Sequence, residues 1–116
     1  MRAALLLLAF VGACKPNEDN FTEKYIKAYC DFAQRCYAAE FFYQYDDKGE
    51  CVNKNEDYWA DYGSAVTSQC EFDADKAAEC LDNLNKSCKE IGDDLDEFDP
   101  QCDAVWDCGE VYGATD

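Results

Sequence analysis

Asn20-Phe21-Thr22-Glu23-Lys24-Tyr25-Ile26-Lys27-Ala28-Tyr29-Cys30-Asp31-Phe32-Ala33-Gln34-Arg35-Cys36 is the stretch that decides the fold. Phe21, Tyr25, Ala28, Tyr29, Phe32 and Cys36 recur at intervals of three and four, the apolar stripe of a helix rather than the alternation of a strand. Asn20 stands where an N-cap belongs, and Glu23 can return a hydrogen bond to it, so the spacing predicts a helix opened by a capping box. Two cysteines ride on this helix. They lie six residues and therefore about 240° apart around the axis, so they cannot bond to each other.

Outward from that helix the pattern repeats. Asp46-Asp47-Lys48-Gly49 reads as a turn. Cys51, Tyr58, Trp59, Tyr62, Ala65 and Val66 mark a second helix, weakened near its middle by Gly63-Ser64. Phe72-Asp73 supplies a staple and cap for a third, whose inner face carries Ala77, Cys80, Leu81, Leu84 and Cys88. Residues 89–98 read as an acidic loop. Asp99-Pro100, a cap followed by proline at the first helical position, opens a short fourth helix with Cys102, Val105, Trp106 and Cys108. No alternating β-branched run competes, and no repeat at solenoid spacing is present. The expected fold is all-α, a small disulfide-stapled bundle of three to four helices.

Nine cysteines in 116 residues mark a disulfide scaffold built for an oxidising compartment. Cys30, Cys36, Cys51, Cys70, Cys80, Cys88, Cys102 and Cys108 are never closer than six apart, so the CxxC pairs that bring thiolates to zinc are missing. Neither a metal nor a cofactor is expected. Eight cysteines allow roughly a hundred pairings, and helix ends narrow them. Antiparallel turns would join Cys36–Cys51 and Cys88–Cys102. Matching depths on two packed helices would join Cys30–Cys80, leaving Cys70–Cys108.

The ninth cysteine has a different context. Met1-Arg2 is a short positive start, and Ala3 to Phe10 is an apolar run far short of the ~20 residues of a spanning helix. It reads as an export signal. Val11-Gly12-Ala13-Cys14 resembles the bacterial lipobox, an aliphatic residue and two small ones before a cysteine that takes a diacylglyceryl group. Residues 1–13 are then a lipoprotein signal peptide, 14–20 the lipidated Cys14 and a polar tether, 21–110 the disulfide-rich helical domain, and 111–116 a tail. Lipidation of Cys14 leaves an even number of cysteines to pair. By resemblance to the sorting rule of enteric bacteria, the lack of Asp after Cys14 favours the outer membrane.

Charge excludes several functions. There are 26 acids, 10 bases and no histidine, for a formal charge of −16. Without histidine the commonest general base, transition-metal ligand and pH switch are gone. So acidic a chain is no nucleic-acid binder. Removing the leader deletes Arg2 and no acid, leaving 26 acids against 9 bases, a charge of −17. Anionic lipid repels such a domain, so membrane attachment must come from acyl chains. Among so many acids a glycosidase-like carboxylate pair arises by chance, and no enzyme is expected. Asp93-Asp94-Leu95-Asp96-Glu97-Phe98-Asp99 invites Ca²⁺, but Phe98, Asp99 and Val105 stand where the EF-hand needs an oxygen ligand, a glycine and a glutamate. In Asn53-Lys54-Asn55-Glu56-Asp57 the following Tyr58 replaces the required glycine. Both read as solvated acidic segments.

Aromatic residues make up 15 % of the chain, and most must serve as core because Leu, Ile and Val are scarce beyond the leader. Phe41, Phe42, Tyr43 and Tyr45 lie on a connection and are the candidate interaction patch.

Tyr29-Cys30, Arg35-Cys36, Glu50-Cys51, Glu79-Cys80-Leu81, Cys88 and Pro100-Gln101-Cys102, behind a lipobox, resemble the small cysteine-rich lipoproteins of myxobacteria and related predatory or social bacteria. The resemblance implies a secreted helical fold with disulfides and transfers no catalytic residue. The expectation is a membrane-anchored bacterial lipoprotein acting as an envelope structural or interaction module. Its partners would be the lipid bilayer, through acylated Cys14, and an envelope protein or glycan. The alternative is a small ligand- or Ca²⁺-binding envelope lipoprotein.

Overall fold

The computed structural model describes residues 15–108, so the leader, Cys14 and the tail lie outside the described residues. Five α-helices follow one another there: α1 Glu18–Cys36, α2 Ala38–Gln44, α3 Lys48–Gln69, α4 Ala74–Leu84 and α5 Cys88–Ile91. Two 3₁₀ turns, Gly92–Glu97 and Cys102–Val105, and a two-stranded ladder of β1 Glu71–Phe72 with β2 Trp106–Asp107 complete the order. The fold is a small, mainly helical domain closed by four disulfides.

The N-cap of α1 lies three residues before the expected Asn20. Asn17 is the N-cap, its side chain accepting from the Asn20 amide at 3.0 Å while the Asn20 side chain accepts from the Asn17 amide at 2.9 Å. Asparagine closes the box in place of glutamate, which is why the Asn20–Glu23 reading landed one turn late. Residues 18–20 of the expected tether therefore belong to the first helix. Pro16 is buried, and Lys15 pairs with Asp75 in the first turn of α4 at 2.9 Å.

Helix α1 is the centre of the domain, with an apolar layer on each side. One layer joins Phe21 and Phe32 to Ala77, Cys80 and Leu84 of α4 and to Val105. The other joins Ile26 and Cys30 to Phe41 of α2 and Cys51 of α3. Helix α3 opens on Asp47, whose carboxylate accepts from the Glu50 amide at 2.8 Å, and runs unbroken to Gln69. Gly63 does not split it.

Helix α4 has the expected Asp73 cap but stops at Leu84, so Cys88 is not on it. After a turn, Ser87 caps the short α5. The expected acidic loop 89–98 is α5 followed by a 3₁₀ turn, and the expected fourth helix is one 3₁₀ turn running into β2. The Asp99 side chain does cap, but it accepts from the Gln101 amide at 2.8 Å, and Gln101 then turns left-handed at φ 64°. That reversal breaks the helix the Asp-Pro pair would have opened.

Three of the four expected bridges are corrected. Cys30 bonds to Cys51, Cys36 to Cys88, Cys80 to Cys102 and Cys70 to Cys108, the last as expected. Cys30 and Cys36 point about 240° apart, so the first enters the α3 layer and the second emerges on the α4 side. Cys36 therefore cannot reach Cys51 at the start of α3, nor Cys30 reach Cys80. Cys70–Cys108 continues the β register, in which Glu71 faces Asp107 and Phe72 faces Trp106. The Asp73 amide donates to the Val105 carbonyl at 2.9 Å on the other side of that ladder.

Candidate functional site

The cleft of greatest chemical interest lies where α1 turns into α2. Tyr37 is the joint: its backbone amide closes α1 on Ala33, and its hydroxyl donates to the Leu95 carbonyl. That bond ties the ring to the 3₁₀ segment Gly92–Glu97. A cavity of 230 Å³ opens beside Tyr37, lined also by Tyr29, Phe32, Phe41 and Tyr45 and by the polar Glu40 and Gln44. A second of 300 Å³ shares Tyr29, Phe32 and Tyr37, and adds Tyr25, Phe98, Asp99 and Asp103.

The rings hold one another in place. Phe32 meets Tyr37 edge-on at 5.7 Å between centroids and Phe98 at 5.4 Å, and Phe41 meets Tyr45 at 5.3 Å. Tyr25 and Tyr29 stack at 6.1 Å along α1. Burial pushes the Tyr25 phenol above its ordinary pKa, reinforced by Tyr29 and Asp103. Burial raises Tyr29 too, helped by Tyr45. Both phenols stay neutral at physiological pH and present uncharged π faces.

The expected patch is divided by α2. Its four residues lie on or beside a helix, not on an irregular connection, so they cannot all point outward. Phe41 is 3 % exposed and belongs to the core, while Tyr45 is half-buried in the cleft wall. Phe42 and Tyr43 remain outside at 52 % and 91 % exposure. A second exposed pair, Tyr58 and Tyr62 on α3, meets in a tilted arrangement at 4.6 Å between centroids.

Sequence reading passed over Tyr29, Tyr37 and Glu40 as site residues. A signal was present: Tyr25, Tyr29, Ala33, Tyr37, Phe41 and Tyr45 stand at strict four-residue intervals across the break between α1 and α2. Four-residue spacing places side chains on one helix ridge, and the bend at Tyr37 folds that ridge into a concave wall.

The acidic segments bring no metal-type cluster together among the described residues, and no helix there is long and apolar enough to cross a membrane. The eight cysteines at 30–108 are all bonded to one another. The fold and cleft thus define a disulfide-stapled helical domain with an aromatic recess whose lining includes Glu40, Asp99 and Asp103. No known protein family, curated protein or solved structure matches the chain.

Proposed function

We propose that the protein is a lipid-anchored bacterial envelope protein whose stapled helical domain acts as an interaction module. Cysteine accounting carries the reading: of nine cysteines eight are spoken for by bridges, and the ninth, Cys14, ends the lipobox-like Val11-Gly12-Ala13-Cys14. Four bridges suit an oxidising compartment outside the cytoplasm. Only residues 15–17 separate Cys14 from α1, a reach of about 10 Å. An acylated Cys14 would hold the start of α1 close to the bilayer. Helix α1 is 19 residues long, and at the 1.5 Å rise per residue of a helix would carry α2 about 28 Å further along its axis. Phe42 and Tyr43, exposed on α2, then lie at the end of α1 remote from the anchor, where an envelope protein or glycan can meet them. The aromatic cleft favours a second reading, a small-ligand-binding lipoprotein.

Fractionation of cells expressing Cys14→Ser tests the anchor. The native protein should stay with membranes through salt and carbonate washing, and the variant should be released. Retention of the variant would overturn the lipoprotein reading.

A further inference from the structure

We propose that the recess at the α1–α2 joint is a binding site for a small, free organic cation of the quaternary-ammonium type. The inference deepens the small-ligand reading, and it rests on the cleft without depending on the lipid anchor. Tyr29, Phe32 and Tyr37 form the wall common to both cavities, and Phe41 and Tyr45 close the first. Electron-rich ring faces attract a cation within about 6 Å of their centroids. Tyr45 already does so, since Lys54, which lines neither cavity, places its Nζ 5.6 Å from that ring centroid.

Charge sharpens the choice. Glu40 lines one cavity, Asp99 and Asp103 line the other, and among the described residues no Lys or Arg lines either. A neighbouring recess, by contrast, is lined by Lys24, Lys27 and Lys48. Neither Glu40 nor Asp103 forms an ion pair among the described residues. The chain's overall charge of −16 adds a field that concentrates cations.

The walls select the kind of cation. A hard metal ion needs several oxygen ligands, whereas the walls are mostly ring carbon and the Tyr37 hydroxyl is committed to Leu95. A methylated ammonium is bulky and weakly hydrated, and it gains both apolar burial and the ring quadrupole. Volumes of 230 and 300 Å³ suit a small head rather than a long chain.

The test is a nuclear magnetic resonance titration of the full, oxidised chain in a sugar-headgroup detergent, following the aromatic signals of Tyr29, Phe41 and Tyr45. Choline chloride should give saturable shifts beyond those of matched sodium chloride. The neutral alcohol in which carbon replaces the choline nitrogen should bind about tenfold more weakly or worse. Tyr29→Leu should weaken choline by about the same factor, and Tyr29→Phe should restore it. Phosphocholine should bind more weakly than choline, because its phosphate meets Glu40, Asp99 and Asp103.

Absence of saturable shifts, or equal binding of the neutral alcohol, would overturn the cation site. Phosphocholine binding as tightly as choline would overturn the free-cation assignment in favour of a lipid headgroup. Should Tyr29→Leu fail to fold, the comparison of charged and neutral ligands on the native chain still decides.

Discussion

Arg35→Met should lower stability by about 2 kcal/mol, because Arg35 closes the end of a helix other than its own. Its guanidinium donates to the Leu84 carbonyl and to the Lys86 carbonyl at 3.1 Å each, while Nε holds Asp31 at 2.8 Å. Leu84 is the last residue of α4, where carbonyls lack partners within the helix and the dipole favours a cation. Each charge-assisted bond would contribute about 1.5–3 kcal/mol if fully sheltered. The Arg35 side chain is 34 % exposed, so about 1 kcal/mol apiece is the reasonable figure. The i,i+4 ion pair with Asp31 adds roughly 0.3–0.5 kcal/mol.

For a domain of this size each kcal/mol shifts the melting temperature by roughly 4–8 °C. Thermal circular dichroism of the oxidised protein should therefore show Arg35→Met melting about 10 °C low. Arg35→Lys keeps the charge but lacks the fork, and should recover less than half of the loss. If Arg35→Met melts within about 1 °C of the native protein, the apolar layer of Phe21, Phe32, Ala77, Cys80 and Leu84 and the nearby Cys36–Cys88 bridge hold α1 against α4 without the cap, and the Arg35 bonds contribute nothing measurable.

Asp31 is held below the usual carboxylate range, first by its hydrogen bond to Arg35 and then by Lys48. With a lowered folded pKa, its contribution is present above the unfolded value near 3.8 and is lost as pH falls through the folded one. Asp31→Asn should cost a few tenths of a kcal/mol at neutral pH, since the site is surface-screened, and should flatten the acid limb of a stability–pH curve. An acid limb identical to the native one would refute this. Glu71 faces Asp107 across the β ladder, so Glu71→Lys should stabilise by about 0.5 kcal/mol. A lower melting temperature would show that the pair does not repel. Reducing the four bridges, which span 21, 52, 38 and 22 residues, removes about 2–4 kcal/mol each before overlap. That rivals the ~5–15 kcal/mol margin of a domain. Reduction at low salt should therefore abolish much of the helical and near-ultraviolet signal, and salt should restore part of it. A reduced protein that keeps its melting temperature would make the bridges dispensable for stability.

Helix existence was legible in the sequence where periodicity was long. The helical cores of α1, α3 and α4 lie where the stripes at Phe21–Cys36, Cys51–Val66 and Ala77–Cys88 place them, although the last of these helices stops at Leu84 and Cys88 begins the next. What escaped was which neighbour each face meets. A single stripe through Phe21, Tyr25 and Phe32 describes a helix packed on one side, yet Ile26 and Cys30 are buried against α2 and α3 on the other. The 240° separation that forbids a Cys30–Cys36 bond also sends the two cysteines to different partners, and matching their depths alone ignores it. Short elements were lost for another reason. Two-residue strands and 3₁₀ turns such as Cys102–Val105 have too few residues to show a period. They are fixed instead by Cys70–Cys108, by Gln101 at positive φ and by tertiary packing. The cleft was half visible, because the four-residue ladder from Tyr25 to Tyr45 is in the sequence but the bend at Tyr37 that makes it concave is a tertiary fact.

Peptide mapping by mass spectrometry, on protein extracted from native membranes and digested without reductant, tests the account most directly. Four cross-linked pairs are expected, Cys30–Cys51, Cys36–Cys88, Cys70–Cys108 and Cys80–Cys102, together with an amino-terminal peptide that begins at Cys14 and carries the mass of attached acyl chains. A Cys14 that is free to alkylate, or that is bonded to any of the other eight, would contradict it.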